Sequence, residues 1–92
     1  MVYDYCVYVI QIDDDPMHIY VGQTCHTPEE RLEQHRTGYK SARSLRHAKK
    51  LTLRPELYEH IGRVSSREES EALEQLLAII LRIKGYTVKG GH

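Results

Sequence analysis

Residues 3 to 12, Tyr-Asp-Tyr-Cys-Val-Tyr-Val-Ile-Gln-Ile, carry β-branched and aromatic side chains on both alternating faces, so a strand here needs cover on both sides. Ninety-two residues have interior for one such domain, so a single domain is expected within them. The Asp13-Asp14-Asp15-Pro16 cluster is a turn, because Asp side chains bond nearby backbone amides and Pro donates nothing to a ladder. Met17 to Gly22 then reads as the returning strand of a β-hairpin. Tyr8 and Tyr20 share a face of this hairpin only if paired residue numbers sum to an even value, which requires an odd-length loop.

Thr27-Pro28-Glu29-Glu30 opens a helix: Thr caps it, Pro takes the first helical position, and acids occupy the turn where the helix dipole favours them. The helix is expected to run to about Gly38. Ser41 to Lys50 reads as a second short helix or helical connection, and Glu56 to Arg63 as a third strand begun or edged by Pro55. Ser66-Arg67-Glu68-Glu69 has the spacing of a capping box, and the helix it starts is stopped by Gly85 after Lys84. Leu76-Leu77-Ala78-Ile79-Ile80-Leu81 is apolar nearly all round, which predicts the most buried helix of the domain. Residues 85–92 read as a loose C-terminal tail on a core of about residues 3–84. The expected fold class is α+β, a small antiparallel sheet of about three strands flanked by about three helices.

The formal net charge is zero, but it is unevenly distributed. Residues 1–30 hold six acids and no Lys or Arg, whereas residues 31–54 hold eight bases (Arg31, Arg36, Lys40, Arg43, Arg46, Lys49, Lys50 and Arg54) against Glu33 alone. Such an excess serves either as a solvated helix face or as a phosphate-binding surface, where Lys and Arg release the counterions condensed on a nucleic acid. No apolar run is long enough to span a bilayer, and the N-terminus shows neither the basic stretch nor the apolar region of a secretory signal. The chain is expected to be cytoplasmic. Cys6 and Cys25 are too few for a disulfide scaffold and are expected to be free thiols; no second ligand pair is spaced to complete a zinc site around Cys25 and His26.

All seven aromatic residues are tyrosines, each with a hydroxyl to satisfy. Tyr8 and Tyr20 either pack in the core or present phenols to a water or phosphate oxygen. A phenol with a pKa near 10 is only about 0.1% ionised at pH 7, so a tyrosine base needs a nearby cation. Arg31 and His35, four apart, share a helix face whose one clear aliphatic anchor is Leu32. The guanidinium of an inward Arg bonds two phosphoryl oxygens, whereas a surface Arg31 would balance Glu29 or Glu30. His35 suits either a structural or a catalytic place. Glu74 lies in a row with Leu77 and Leu81 that faces the buried side, so its carboxylate must be paired, protonated or bound to a cation. A basic partner such as Arg31 would satisfy it, and so would Mg²⁺ held by one carboxylate with waters and phosphate. Glu71 takes its place if the helix is rotated from this reading.

Val7-Tyr8-Val9, Tyr20-Val21-Gly22-Gln23-Thr24, Arg31-Leu32-x-x-His35 and the late helix with Ala72-Leu73-Glu74 follow one another on strand, strand, helix and helix. In this order and spacing the chain resembles the GIY-YIG nuclease family over residues 3 to about 84. The first tripeptide keeps the tyrosine but has Val at both flanking positions. The resemblance implies a divalent-metal-dependent endonuclease that hydrolyses DNA phosphodiester bonds with Mg²⁺ or Mn²⁺. On that pattern the catalytic residues are Tyr8, Tyr20, Arg31, His35 and Glu74. Tyr8 activates water, directly or with His35, Tyr20 orients the phosphate or water, Arg31 stabilises the pentacovalent phosphate, and Glu74 binds the metal. Gly22, Arg36, Lys40, Arg43, Arg46, Lys49 and Lys50 are expected to contact the nucleic acid, with Tyr39 offering a ring for a base to stack on. Many family members have an Asn after the glutamate helix; this sequence contains none, leaving that role empty or to a residue such as Thr87 or Lys89. No recognition domain accompanies the domain within these residues, so a structure-selective or weakly specific cutter, or one targeted by a partner protein, is expected. Relatives serve repair, restriction and mobile-element homing. The alternatives are a catalytically degenerate nucleic-acid-binding module and a plain interaction domain whose tyrosines are all core.

Overall fold

The computed structural model describes residues 4–38 and 42–91. The hairpin forms as its pattern requires, with β1 (Cys6–Ile12) antiparallel to β2 (His18–Thr24) in a register that sets Tyr8 against Gly22 and Ile10 against Tyr20. The sum of paired numbers is even, so Tyr8, Ile10, Tyr20 and Gly22 share one face of the sheet and Val7, Val9, Ile19 and Val21 the other. Both faces of β1 are buried, as its sequence demands.

The turn is held by Asp13, which adopts a left-handed conformation (φ 57°) that Asp tolerates better than most residues. Its amide donates to the Lys50 carbonyl, and its carboxylate accepts from the amides of Lys49, at 2.6 Å, and Lys50, at 3.0 Å. One residue thus ties the hairpin turn to the basic segment. Helix α1 (Pro28–Thr37) begins with a complete Thr27–Glu30 capping box and ends at Gly38, as expected. Leu32 and His35 are its buried residues.

Residues 42–50 take the second form expected for Ser41 to Lys50, a helical connection with a 3₁₀ turn at Arg43–Leu45 and no second α-helix. Two expectations are corrected. The third strand is not Glu56 to Arg63 but β3 (Leu51–Leu53), antiparallel to β1; Pro55 follows it and opens a 3₁₀ turn, Pro55–Leu57, in keeping with its fixed φ and missing donor. The tail is not loose. β4 (Thr87–Gly90) lies parallel to β2, with Val88 buried, and completes a mixed four-stranded sheet in the order β3-β1-β2-β4. Gly90 and Gly91, both at positive φ, lie where a Cβ would strike the Val21 carbonyl and the Ala78 side chain respectively. Glycine lets this strand close against the sheet and helix.

Helix α2 (Arg67–Ile83) starts at Ser66, whose hydroxyl accepts from the Glu69 amide. Its Leu77, Ala78 and Leu81 join Val9, Ile19, Val21 and Val88 in the core. The helix is nonetheless not buried all round: Leu76, Ile79, Ile80 and Ile83 are exposed. Tyr8 bonds to α1 through His35, and Gln23, of the opposite parity to Tyr20 and Gly22, bonds to α2 through Ser70, so the two helices cover opposite faces of the sheet. The fold is therefore α+β, with four strands in a mixed sheet and two α-helices among the described residues, rather than three antiparallel strands and three helices. Cys6 and Cys25 are both free. No helix among the described residues is long and apolar enough to cross a membrane.

Candidate active site

β4 pairs with β2 only as far as Val21 opposite Gly90, so the last residues of β2 extend beyond it. At that end of the strand α2 and α1 approach each other around the sheet edge. A cleft of about 280 Å³ opens there, lined by Tyr8, Tyr20, Gly22 and Gln23 from the hairpin, Arg31 from α1, and Arg67, Glu71, Glu74 and Gln75 from α2. Tyr8, Tyr20, Arg31 and Glu74, far apart in sequence, share one opening.

Gly22 has a specific spatial reason. A Cβ there would sit 2.6 Å from the Tyr8 hydroxyl and 2.7 Å from its ring carbon, so only a residue without a side chain lets the phenol reach the cleft. Tyr8 is 1% exposed, and its hydroxyl lies 2.9 Å from His35 Nε2. The Tyr8, Tyr20 and His35 rings form a triangle with centroid separations of 6.2, 6.0 and 5.6 Å, the Tyr20–His35 pair meeting edge to face.

The electrostatics divide the proton chemistry between these groups. Burial pushes the Tyr8 phenol well above its ordinary value, the Tyr20 phenol and Glu74 adding to the effect while the Arg31 guanidinium opposes it by charge and hydrogen bond. Burial likewise raises Tyr20, with Glu74 adding to it and Arg31 opposing. His35 moves the other way, down to about 4, because burial and the charge of Arg31 both disfavour an imidazolium. It is therefore neutral at pH 7. A neutral ring whose Nε2 faces a phenol can accept its proton, with Nδ1 carrying the ring hydrogen.

Arg31 also donates to Gln34 Oε1 at 2.9 Å, which orients the guanidinium along the cleft wall. Glu74, 8% exposed, is the buried carboxylate of α2. Glu71, one turn earlier, is paired with Arg67 at 2.9 Å. No cluster of three or more His, Cys, Asp or Glu side chains forms among the described residues. Two carboxylates line this open cleft, Glu71, which is paired with Arg67, and Glu74; so few protein donors fit a hard divalent cation whose remaining ligands are water and phosphate oxygens, and do not fit a protein-enclosed zinc site.

A second, larger groove of about 690 Å³ begins at His35 and runs along Arg36, Arg46, Lys49 and Lys50. Arg36 is anchored there by bonding the Leu51 carbonyl and pairing with Glu33. Arg43 is exposed on the 3₁₀ turn outside this lining, while Tyr39 and Lys40 lie outside the described residues. Thr87 and Lys89, suggested for the missing Asn, are exposed and absent from the cleft lining, so neither fills that role. The sequence reading did not select Gln23, Arg67 or Gln75. Arg67, Glu71, Glu74 and Gln75 stand at i, i+4, i+7 and i+8 on one face of α2, and that periodicity is the signal that marks them.

The family model of the GIY-YIG catalytic domain matches residues 4–78, which include every residue of this cleft. The chain belongs to the GIY-YIG family. No curated protein and no solved structure matches it. GIY-YIG domains are typically nuclease domains that act on DNA; in this chain Tyr8 and Tyr20 stand on the two hairpin strands, Arg31 on α1 and Glu74 on α2.

Proposed function

We propose that this GIY-YIG domain is a divalent-metal-dependent endonuclease that hydrolyses DNA phosphodiester bonds, selecting substrate by structure or weakly by sequence. The observation that carries this reading is the convergence of Tyr8, Tyr20, Arg31 and Glu74 on one cleft, with His35 bonded behind Tyr8. Tyr8 takes a proton from the attacking water while its own phenolic proton passes to His35 Nε2, so the relay leaves hydroxide at the phosphorus and a charged imidazolium in the protein. The resting protein holds His35 neutral, in part through Arg31. A phosphate bound at Arg31 offsets that repulsion and makes His35 a better acceptor when substrate is present. Arg31 bonds the oxygens on which charge develops, and Tyr20 orients the phosphate. Glu74 holds the divalent cation, which when bound supplies positive charge to the phosphate and to the departing 3′ oxygen. The basic groove from His35 to Lys50 leads the backbone to the cleft.

The test is cleavage of labelled single-stranded, duplex and branched DNA in Mg²⁺, Mn²⁺ or EDTA. The expected result is cutting that requires metal, is abolished by Glu74→Gln, and falls by about 10²- to 10⁴-fold in Tyr8→Phe, the usual range for removing a general base. Salt-sensitive DNA binding with no cutting in any metal would establish the other reading, a catalytically degenerate binding module, which the lack of any Asn and the altered first tripeptide favour.

A further inference from the structure

Helix α2 leaves four large aliphatic side chains in water: Leu76 is 53% exposed, Ile79 51%, Ile80 40% and Ile83 80%. At about 3.6 residues per turn they form one stripe, which continues toward the helix start through Ala72 to Glu69. Beside it lies an apolar groove of about 260 Å³, with Leu76 and Ile80 on one wall and Leu57 and Ile61 on the other. Single exposed aliphatics are ordinary on protein surfaces; four within about two turns of one helix, beside an apolar groove, mark a docking face.

We propose that this face binds a second copy of the same chain, with α2 of one protomer packed antiparallel on α2 of its partner about a two-fold axis. Three features select a second copy over another occupant. The face presents a ridge and a groove side by side, the self-complementary shape that an isologous contact requires. An antiparallel register that sets Leu76 against Ile79 also sets the small Ala72 against the projecting Ile83, so large meets small along the seam. Charge follows the same inversion. Glu68 and Glu69 stand at the start of α2 and Lys84 just past its end, so each protomer brings its lysine to the partner's acids, twice by symmetry. A parallel pairing would instead place Glu against Glu and Lys against Lys. Glu74 lies on the buried side of α2, away from the stripe, so the pairing leaves the cleft open.

Sedimentation equilibrium on the full chain tests this. The expected mass is twice the 10.7 kDa of the single chain. Ile79→Glu and Ile83→Glu, at exposed positions where no core contact is lost, weaken dimerisation by about 100-fold or more with an unchanged circular dichroism spectrum, since each substitution acts twice in a symmetric interface. Lys84→Glu alone, and Glu68→Lys with Glu69→Lys, each weaken the dimer, and the combination of all three restores it. A wild type that stays at the single-chain mass up to its solubility limit overturns the proposal and leaves the face to a different protein. A dimer indifferent to Ile79→Glu and Ile83→Glu overturns it as well, and failure of the charge reversal to restore association overturns the antiparallel arrangement. Because the readout is mass without DNA, loss of this dimer and loss of nuclease activity are separate results.

Discussion

At the scale of single residues, the cleft depends on a glycine and a neutral histidine as much as on the groups that carry chemistry. Gly22 leaves room for the Tyr8 phenol, so Gly22→Ala is expected to cost about 1 to 3 kcal/mol through overpacking and to displace the hydroxyl from His35. In a Tyr8→Leu background, where neither the hydroxyl nor the ring carbon it would strike is present, the same substitution should cost much less. A double-mutant cycle by chemical denaturation measures the difference, and additive costs would show that the clash is not the cause. His35 gives the second residue-level expectation. Its folded-state pKa of about 4 lies below the ordinary 6.5, so between those values the unfolded chain binds the proton that the folded chain refuses. The stability contribution is fully present above pH 6.5 and is lost as the pH falls toward 4, by at most about 3 kcal/mol. Denaturant midpoints across this range should fall with pH in the wild type and flatten in His35→Gln. The family resemblance left open whether Tyr8 acts directly or with His35; the bond between them, across 27 positions of sequence, comes only from the packing of α1 on β1.

At the scale of elements, what the sequence made legible was whatever rests on local periodicity or local hydrogen bonding. The even register of the hairpin follows from a side-chain period of two and an odd loop, and the start of α1 follows from Thr27, Pro28 and Glu30 meeting the requirements of a cap. Both strands that were misplaced or missed depend on distant partners. β3 is three residues long, too short for alternation to be recognised, and exists because Leu51, Thr52 and Leu53 pair with β1. β4 ends at Gly90 with Gly91 directly after it, a pair that looks like a tail until the two are seen against Val21 and Ala78. The apolar run of α2 marks it as the more buried of the two described α-helices, as expected, but hydropathy does not say on how many sides a helix has neighbours. Asp13 links two elements that the sequence reading kept apart, the hairpin turn and the basic segment. Asp13→Ala should lose both carboxylate bonds and strain the left-handed turn, costing about 1 to 3 kcal/mol. Asp13→Asn, which accepts from the same amides and tolerates that conformation, should cost less. Thermal melts of the two variants check the order, and equal losses would assign the effect to charge rather than to turn geometry.

At the scale of the whole molecule, the net charge is zero, so no long-range field of one sign draws the protein to a polyanion. Attraction has to be local. Arg36, Arg46, Lys49 and Lys50 line one groove, while Glu68, Glu69 and Glu71 crowd the start of α2 in the opposite layer. Segregation of this kind makes binding depend on a few phosphates near the groove rather than on the total charge. Arg36 is partly engaged by Glu33 and the Leu51 carbonyl, and Lys50 lies 3.8 Å from Asp14, which leaves Arg46 and Lys49 as the groove cations with no such salt bridge to another described residue. For duplex DNA the logarithm of the binding constant falls against the logarithm of salt concentration with a slope of about 0.9 per phosphate neutralised. Arg46→Ser with Lys49→Ser should therefore lower the magnitude of that slope by about 2, whereas Arg67→Ser, in the cleft and paired with Glu71, should lower it by less than about 1. Fluorescence anisotropy in EDTA across a salt series measures both without cutting. A slope that is already near zero in the wild type, or that Arg46→Ser with Lys49→Ser leaves unchanged, would remove the groove from the DNA path and confine substrate contact to the Tyr8, Arg31 and Glu74 cleft.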